Sequence, residues 1–153
     1  MIKYWRNLMK HPNSFETDKT TRKRMSHVHL KRGSSENLLA LNLWHEGIRY
    51  RRNYKELPGS PDIAITKYKI AIFIDGEFWH GYDWENRKKR LKRNKEYWTA
   101  KIEENMLRDK RNDKLLTEQG WIVVHFWEKL VKKNTDYCVE KVKYFIRERL
   151  KAN

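Results

Sequence analysis

The spacing of hydrophobic and polar positions marks out three helices and four strands. Leu39 and Leu43 recur one turn apart, on the face that also carries Glu36, and predict a helix over Ser35 to His45. Ser34 or Ser35 can cap its start, and Gly47 stops it. Ile48 to Tyr54 reads as a short strand. Pro58-Gly59-Ser60-Pro61 reads as a turn, from which Ile63-Ala64-Ile65 leaves as a second strand. Tyr68 to Ile74 is the strongest strand in the chain, apolar on both faces as a central strand requires. After Asp75-Gly76 the pattern breaks into a loop holding Phe78, Trp79, His80, Tyr82 and Trp84. A long helix is expected from about Glu96 to Gln119, closed by Gly120. Its seam of Trp98, Ile102, Met106, Asp109, Asp113 and Leu116 advances in steps of three and four. Trp121 to Trp127 forms another apolar strand, and Val139, Val142, Ile146 and Leu150 mark a final amphipathic helix. The order α–β–β–β–α–β–α predicts an α/β domain with a mixed central sheet flanked by helices.

Composition changes this picture in one respect, which is the partner. A chain of 153 residues suits one domain with a real core. Charged residues reach 36%, but seven Trp, eight Tyr and five Phe supply the large apolar bodies that disordered chains lack. Lys and Arg number 35 against 20 Asp and Glu, a formal net charge of +15. Such a field favours a polyanion, and nucleic acid is the commonest one. No apolar run has the length of a transmembrane helix or a signal-peptide core. The single cysteine, Cys138, excludes an intrachain disulfide and a Cys-rich zinc site. Residues 1–18 read as an N-terminal extension. Residues 19–153 read as one domain whose basic arm, 19–33, includes Arg22, Lys23 and Arg24 and carries no acid from Lys19 to Arg32. That arm follows a phosphate backbone or is a solvated tail. A second basic run, Arg87 to Lys95, has seven cations in nine residues.

Asp62 and Asp75 lead the candidates for chemistry. One opens a strand and the other ends its neighbour, so pairing of those strands would bring both carboxylates to one edge of the sheet. Hard oxygen ligands so arranged suit Mg²⁺. The bland alternative is two turn aspartates bonding their own backbone. Glu36 and Asp109 each fall on an apolar helix face, where a carboxylate needs a cation or a donor such as imidazole. His80, five residues beyond Asp75, is a candidate to receive one of them and to transfer protons. Phe78, Trp79, Tyr82 and Trp84 are either satellite core or, in a basic domain, side chains that stack on bases or wedge into a duplex step.

Several ordered motifs carry a family resemblance: Pro58-Gly-Ser-Pro-Asp62; Ile72-Phe-Ile-Asp-Gly-Glu-Phe-Trp-His-Gly81; Tyr97-Trp-Thr-Ala-Lys-Ile with Asn105 and Arg108-Asp109; Gly120-Trp121; and Trp127-Glu128. Upstream, Arg22-Lys-Arg-Met25-Ser26 followed by Glu36 fits the same series. From Thr20 to Glu128 the chain resembles the very short patch repair (Vsr-type) DNA mismatch endonucleases. The resemblance implies a restriction-endonuclease-like fold of PD-(D/E)XK type. It implies Mg²⁺-dependent nicking of one strand beside a T:G mismatch, with one or two metal ions. By position, Asp62 and the backbone carbonyl of Ile74 would bind metal. His80 would transfer protons with Asp109 orienting it, Glu36 would lie near the metal waters, and Asp75 stands where some members have a second histidine. Phe78, Trp79 and Trp98 match the aromatics that enter the duplex, and Met25 matches a residue entering from the opposite groove.

Two features depart from the family pattern. Glu77 and Lys129 occupy positions where well-known members have zinc-binding cysteines, so no structural zinc is expected. The Arg87 to Lys95 run looks like this chain's own insert and bears on how DNA is gripped. The expected enzyme is a monomer acting on double-stranded, mismatched DNA in the bacterial cytoplasm, associated with the nucleoid and with no membrane. Its alternatives are a homing or restriction endonuclease of the same fold acting on matched DNA, and a non-catalytic DNA-binding module.

Overall fold

A computed structural model of the chain describes residues 33–153. Met25, Arg22, Lys23 and Arg24, with the extension over 1–18 and the arm through residue 32, lie outside the described residues.

Helix α1 covers 33–45. Gly33 is already helical, so Ser34 and Ser35 lie inside the helix instead of capping it, and the arm cannot run as far as residue 33. Four strands follow in spatial order: β1 (Arg51–Arg52), β2 (Ile63–Ile65), β3 (Ile70–Asp75) and β4 (Ile122–Trp127). The β1/β2 and β2/β3 pairs are antiparallel, whereas β3 and β4 run parallel, so the sheet is mixed as expected. Two expected strands are trimmed. Only Arg51 and Arg52 of the 48–54 stretch pair, and Tyr68 sits in a 3₁₀ turn that Lys69, with φ of 50°, closes ahead of β3.

The parallel pairing requires a crossover, and two helices supply it: α2 (Trp84–Arg90) and α3 (Lys95–Glu118). Helix α3 ends as its sequence indicates, with Gly120 at φ of 82°. Helix α2 was not legible, because four consecutive cations show no apolar period. It forms because Trp84 is buried at its head, with Nε1 donating to Glu103 at 3.2 Å, and because Lys88 Nζ donates to the same carboxylate at 2.7 Å. The basic run is therefore a helix end, a bend and the first residue of α3. After β4 come α4 (Glu128–Lys133), too short for any period, and α5 (Thr135–Lys151), where the Asn134 side chain accepts from the Tyr137 N–H.

Alternation along β3 decides what each sheet face can do. Ile70, Ile72 and Ile74 point into a core shared with Ile63, Ile65, Val124 and Phe126. Leu39 and Leu43 of α1, Val131 of α4, and Cys138, Val139 and Val142 of α5 complete it. Burial pushes the Cys138 thiol up to about 11, so it acts as a small apolar body there. The intervening residues Ala71, Phe73 and Asp75 take the other face, where α3 carries Asp109 and Asp113 one turn apart. Among the described residues no helix is long and apolar enough to cross a membrane.

Candidate active site

Strand pairing does bring Asp62 and Asp75 to one end of the sheet. Ile63 pairs with Ile72, so Asp62, one residue earlier, lies beside the last residues of β3. The Ile74 N–H donates to Asp62 Oδ2 at 2.7 Å. Asp62 is therefore tied across the strands to the N–H of the residue whose carbonyl it was expected to share a metal with, and is not merely an aspartate closing its own turn.

Asp75 ends β3 almost completely buried. The turn after it carries His80 back towards α3, and the ring Nδ1 lies 2.6 Å from Asp109 Oδ2 and 3.7 Å from Asp75 Oδ1. The first distance is a hydrogen bond and the second is not. Two neighbours shape the turn. Asn105 Nδ2 on α3 donates to the Trp79 carbonyl at 3.2 Å. Gly81 has φ of 75°, and a Cβ there would meet the Met106 thioether, so a side chain at this position is strained and must displace Met106.

Glu36 stands in the first turns of α1 with its carboxylate 3.9 Å from Arg52 Nη2, and Arg52 pairs with Ile63 next to Asp62. The cation that its position demanded is thus Arg52. Phe78, Trp79 and Trp98 meet edge to face with ring centres 5.1 to 5.6 Å apart, all half-buried. Trp84 parts from that group, being core. Tyr82 stays exposed with its edge on Trp127.

One residue escaped the sequence reading. His125 of β4 faces Asp75 Oδ2 through Nδ1 at 2.5 Å and Asp113 through Nε2 at 2.9 and 3.0 Å, with Phe73 stacked on its ring at 5.0 Å. Its signals were a histidine inside the apolar run IVVHFW and a second aspartate, Asp113, on the apolar seam of α3. Burial alone would lower the His125 pKa; the bonds and charges of Asp75 and Asp113 outweigh it and raise the value from 6.5 to about 9. A group raised on folding stabilises most fully below its unfolded pKa and loses that contribution as pH climbs through its folded one. We therefore expect wild-type stability to fall between pH 7 and 10 by about 1–2 kcal/mol more than that of His125→Asn, after allowance for screening at a side chain roughly a third exposed. Urea titrations at the two pH values measure it, and parallel losses in both proteins would contradict it.

The donor set fits a hard divalent cation. It offers the Asp62 carboxylate, fixed by the Ile74 N–H, and the main-chain carbonyl of Ile74, with substrate phosphate and water left to fill the remaining positions. Among the described residues no three His, Cys, Asp or Glu side chains are grouped to enclose a metal by themselves. A cysteine-type zinc link has no donors here: Glu77 Oε1 instead accepts from the Lys129 N–H at 2.9 Å.

Comparison with known proteins identifies the family. Residues 15–87 match the family model described as DNA mismatch endonuclease Vsr. The chain is 45% identical over 129 residues to the Type II nicking enzyme V.NmeDIP of Neisseria meningitidis serogroup C, covering 84% of this chain and 87% of that one. It is 49% identical over 114 residues to the Type II nicking enzyme V.HpaIIP of Haemophilus parainfluenzae, covering 74% and 81%. With the DNA mismatch endonuclease Vsr of Escherichia coli K12 it shares 37% identity over 112 residues, covering 72% and 71%. The protein is in class a DNA endonuclease of restriction-endonuclease-like fold. It belongs to the Vsr family, whose endonucleases are generally metal-dependent.

Proposed function

We propose that this endonuclease nicks one strand of duplex DNA beside a T:G mismatch, using Mg²⁺. The observation that carries the reading is the convergence of Asp62, Asp75 and the Asp109-held His80 at one end of β3. Hydrolysis adds water across a P–O bond, so one proton leaves the attacking water and one reaches the departing oxygen. His80 serves one of these transfers: with Nδ1 bonded to Asp109, Nε2 is the nitrogen that exchanges the proton. Asp62 and the Ile74 carbonyl would hold the cation, and Glu36 would order water on the Arg52 side. When bound, the cation stabilises the negative charge that grows on the phosphate.

Mismatch preference rests on Phe78, Trp79 and Trp98, next to His80. Opening a base step costs a few kcal/mol, least where a mismatch has already weakened the pair. Trp79→Ala is expected to lose T:G nicking selectively while costing well under the ~3–5 kcal/mol typical of a truncated core aromatic. Nicking of T:G and matched duplexes, alongside a urea melt, separates the possibilities. Equal loss on both duplexes with a large fall in stability would make Trp79 structural. Faster cleavage of matched DNA would favour a homing or restriction activity.

Around α2 and the bend after it, Lys89, Arg90, Lys92, Arg93 and Lys95 are exposed and would grip the phosphate backbone, and the basic run over 19–32 adds charge of the same sign. If at least ~5 phosphates are neutralised, log Kd should change with log salt with a slope steeper than about 4. Filter binding from low to moderate salt tests this, and a slope under about 2 would mean these runs are only solvated. A monomer acting at the chromosome in the cytoplasm, without structural zinc, completes the proposal.

A further inference from the structure

Asp109 and Asp113, one turn apart on α3, each hold a histidine, and Asp75 lies between the two rings. Both nitrogens of His125 face carboxylate oxygens at hydrogen-bonding distance. Ionised carboxylates only accept, so the ring meets both only by donating from both nitrogens. Its orientation has three supports: Asp75 at one nitrogen, Asp113 at the other, and the flat face of Phe73, inclined by 13°. Parallel register sets this up, since Phe73 and His125 are partners across β3 and β4, and alternation turns both toward α3.

The consequence falls on Asp75. Its Oδ2 is engaged by His125, while its Oδ1 stops 3.7 Å from His80 Nδ1. Released from His125, the Asp75 carboxylate could close that gap and compete with Asp109 for the same Nδ1–H. The imidazole of His80 would then turn away from the direction that Asp109 gives it. We infer that His125, clamped by Asp113 and Phe73, is a positioning residue that holds Asp75 off His80 and so fixes the His80–Asp109 pair in one geometry. The inference rests on the endonuclease reading above and concerns a histidine to which neither the family resemblance nor the proposed mechanism gives a part.

Single-turnover nicking of a T:G duplex with Mg²⁺ and saturating full-length chain tests it, with Asp62→Ala as the control that secures the endonuclease reading. His125→Leu should slow the step about 10–100-fold, the range seen when a partner of a site residue is removed, with DNA affinity unchanged. His125→Asn should recover much of the rate, because its amide nitrogen stands where Nδ1 stood and can still donate to Asp75. His125→Gln, whose amide corresponds to Nε2, should not. His125→Leu combined with Asp75→Asn should be no slower than Asp75→Asn alone, because the two act through one contact. If His125→Leu does not fold, Asp113→Asn, altering a partly exposed side chain, carries the test through a smaller loss that also vanishes in the Asp75→Asn background. Wild-type speed in His125→Leu, equal recovery by Asn and Gln, or additive losses would overturn the inference and leave the endonuclease reading standing. A wild-type chain that leaves every duplex intact would overturn both.

Discussion

Asp62→Ala is expected to lose at least ~10³-fold in nicking rate, equivalent to about 4 kcal/mol of transition-state stabilisation, while DNA binding persists. The size follows from what the carboxylate does. It is one of two proposed protein ligands for the cation, and the other is a main-chain carbonyl that no substitution removes. Without Asp62 only the Ile74 carbonyl and the DNA would be left to hold a cation, and the charge growing on the phosphate would go largely uncompensated. Binding survives because the cations proposed to grip the backbone on α2 and on the bend after it lie outside this site. The Ile74 N–H also loses its acceptor, which costs about 1 kcal/mol of stability and leaves the fold intact. Gel-based nicking with a parallel binding titration reads both quantities. Near-normal nicking by the variant would move the metal site away from this end of the sheet.

His80→Ala should lower the single-turnover rate by about 10²–10⁴-fold, the usual contribution of a positioned acid or base. Asp109→Asn should follow it with a smaller loss. An amide at Asp109 can still accept from Nδ1–H, but it no longer offers the charge that steadies the imidazole once it is protonated. The pair should be strongly non-additive, since Asp109 has nothing to orient once His80 is gone. Independent, multiplying losses would mean that the 2.6 Å contact is structural and that protons move through another group.

Legibility from sequence differed from element to element, for physical reasons. Long periodic stretches were readable: β3 from its unbroken apolar run, α3 from its seam, and α1 from Leu39 and Leu43. What fell between them was not. Helix α2 owes its existence to contacts of Trp84 and Lys88 with Glu103, 19 and 15 residues further along the chain by way of a bend, and local period carries no trace of such a contact. The capping role expected of Ser34 and Ser35 failed because Gly33 is already helical, which puts both serines inside α1. In the loop after Asp75, composition could not separate Trp84, which is core, from Phe78 and Trp79, which remain half-buried beside His80.

By itself the sequence determined the α/β class, the basic character that calls for a polyanion, and the residue types of the candidate site. Asp62, Asp75, His80 and Asp109 could be named because carboxylates at strand ends and on an apolar helix face demand partners. The tertiary structure decided who those partners are. It tied Asp62 to the Ile74 amide, gave His80 to Asp109 and Glu36 to Arg52, and set His125 between Asp75 and Asp113. The last of these joins residues 38 and 50 positions apart through strand register and helix phase together: Asp75 and Asp113, and Asp75 and His125. A one-residue slip in β4 would turn His125 to the opposite face of the sheet, a choice made by packing across the whole sheet and invisible to any local window.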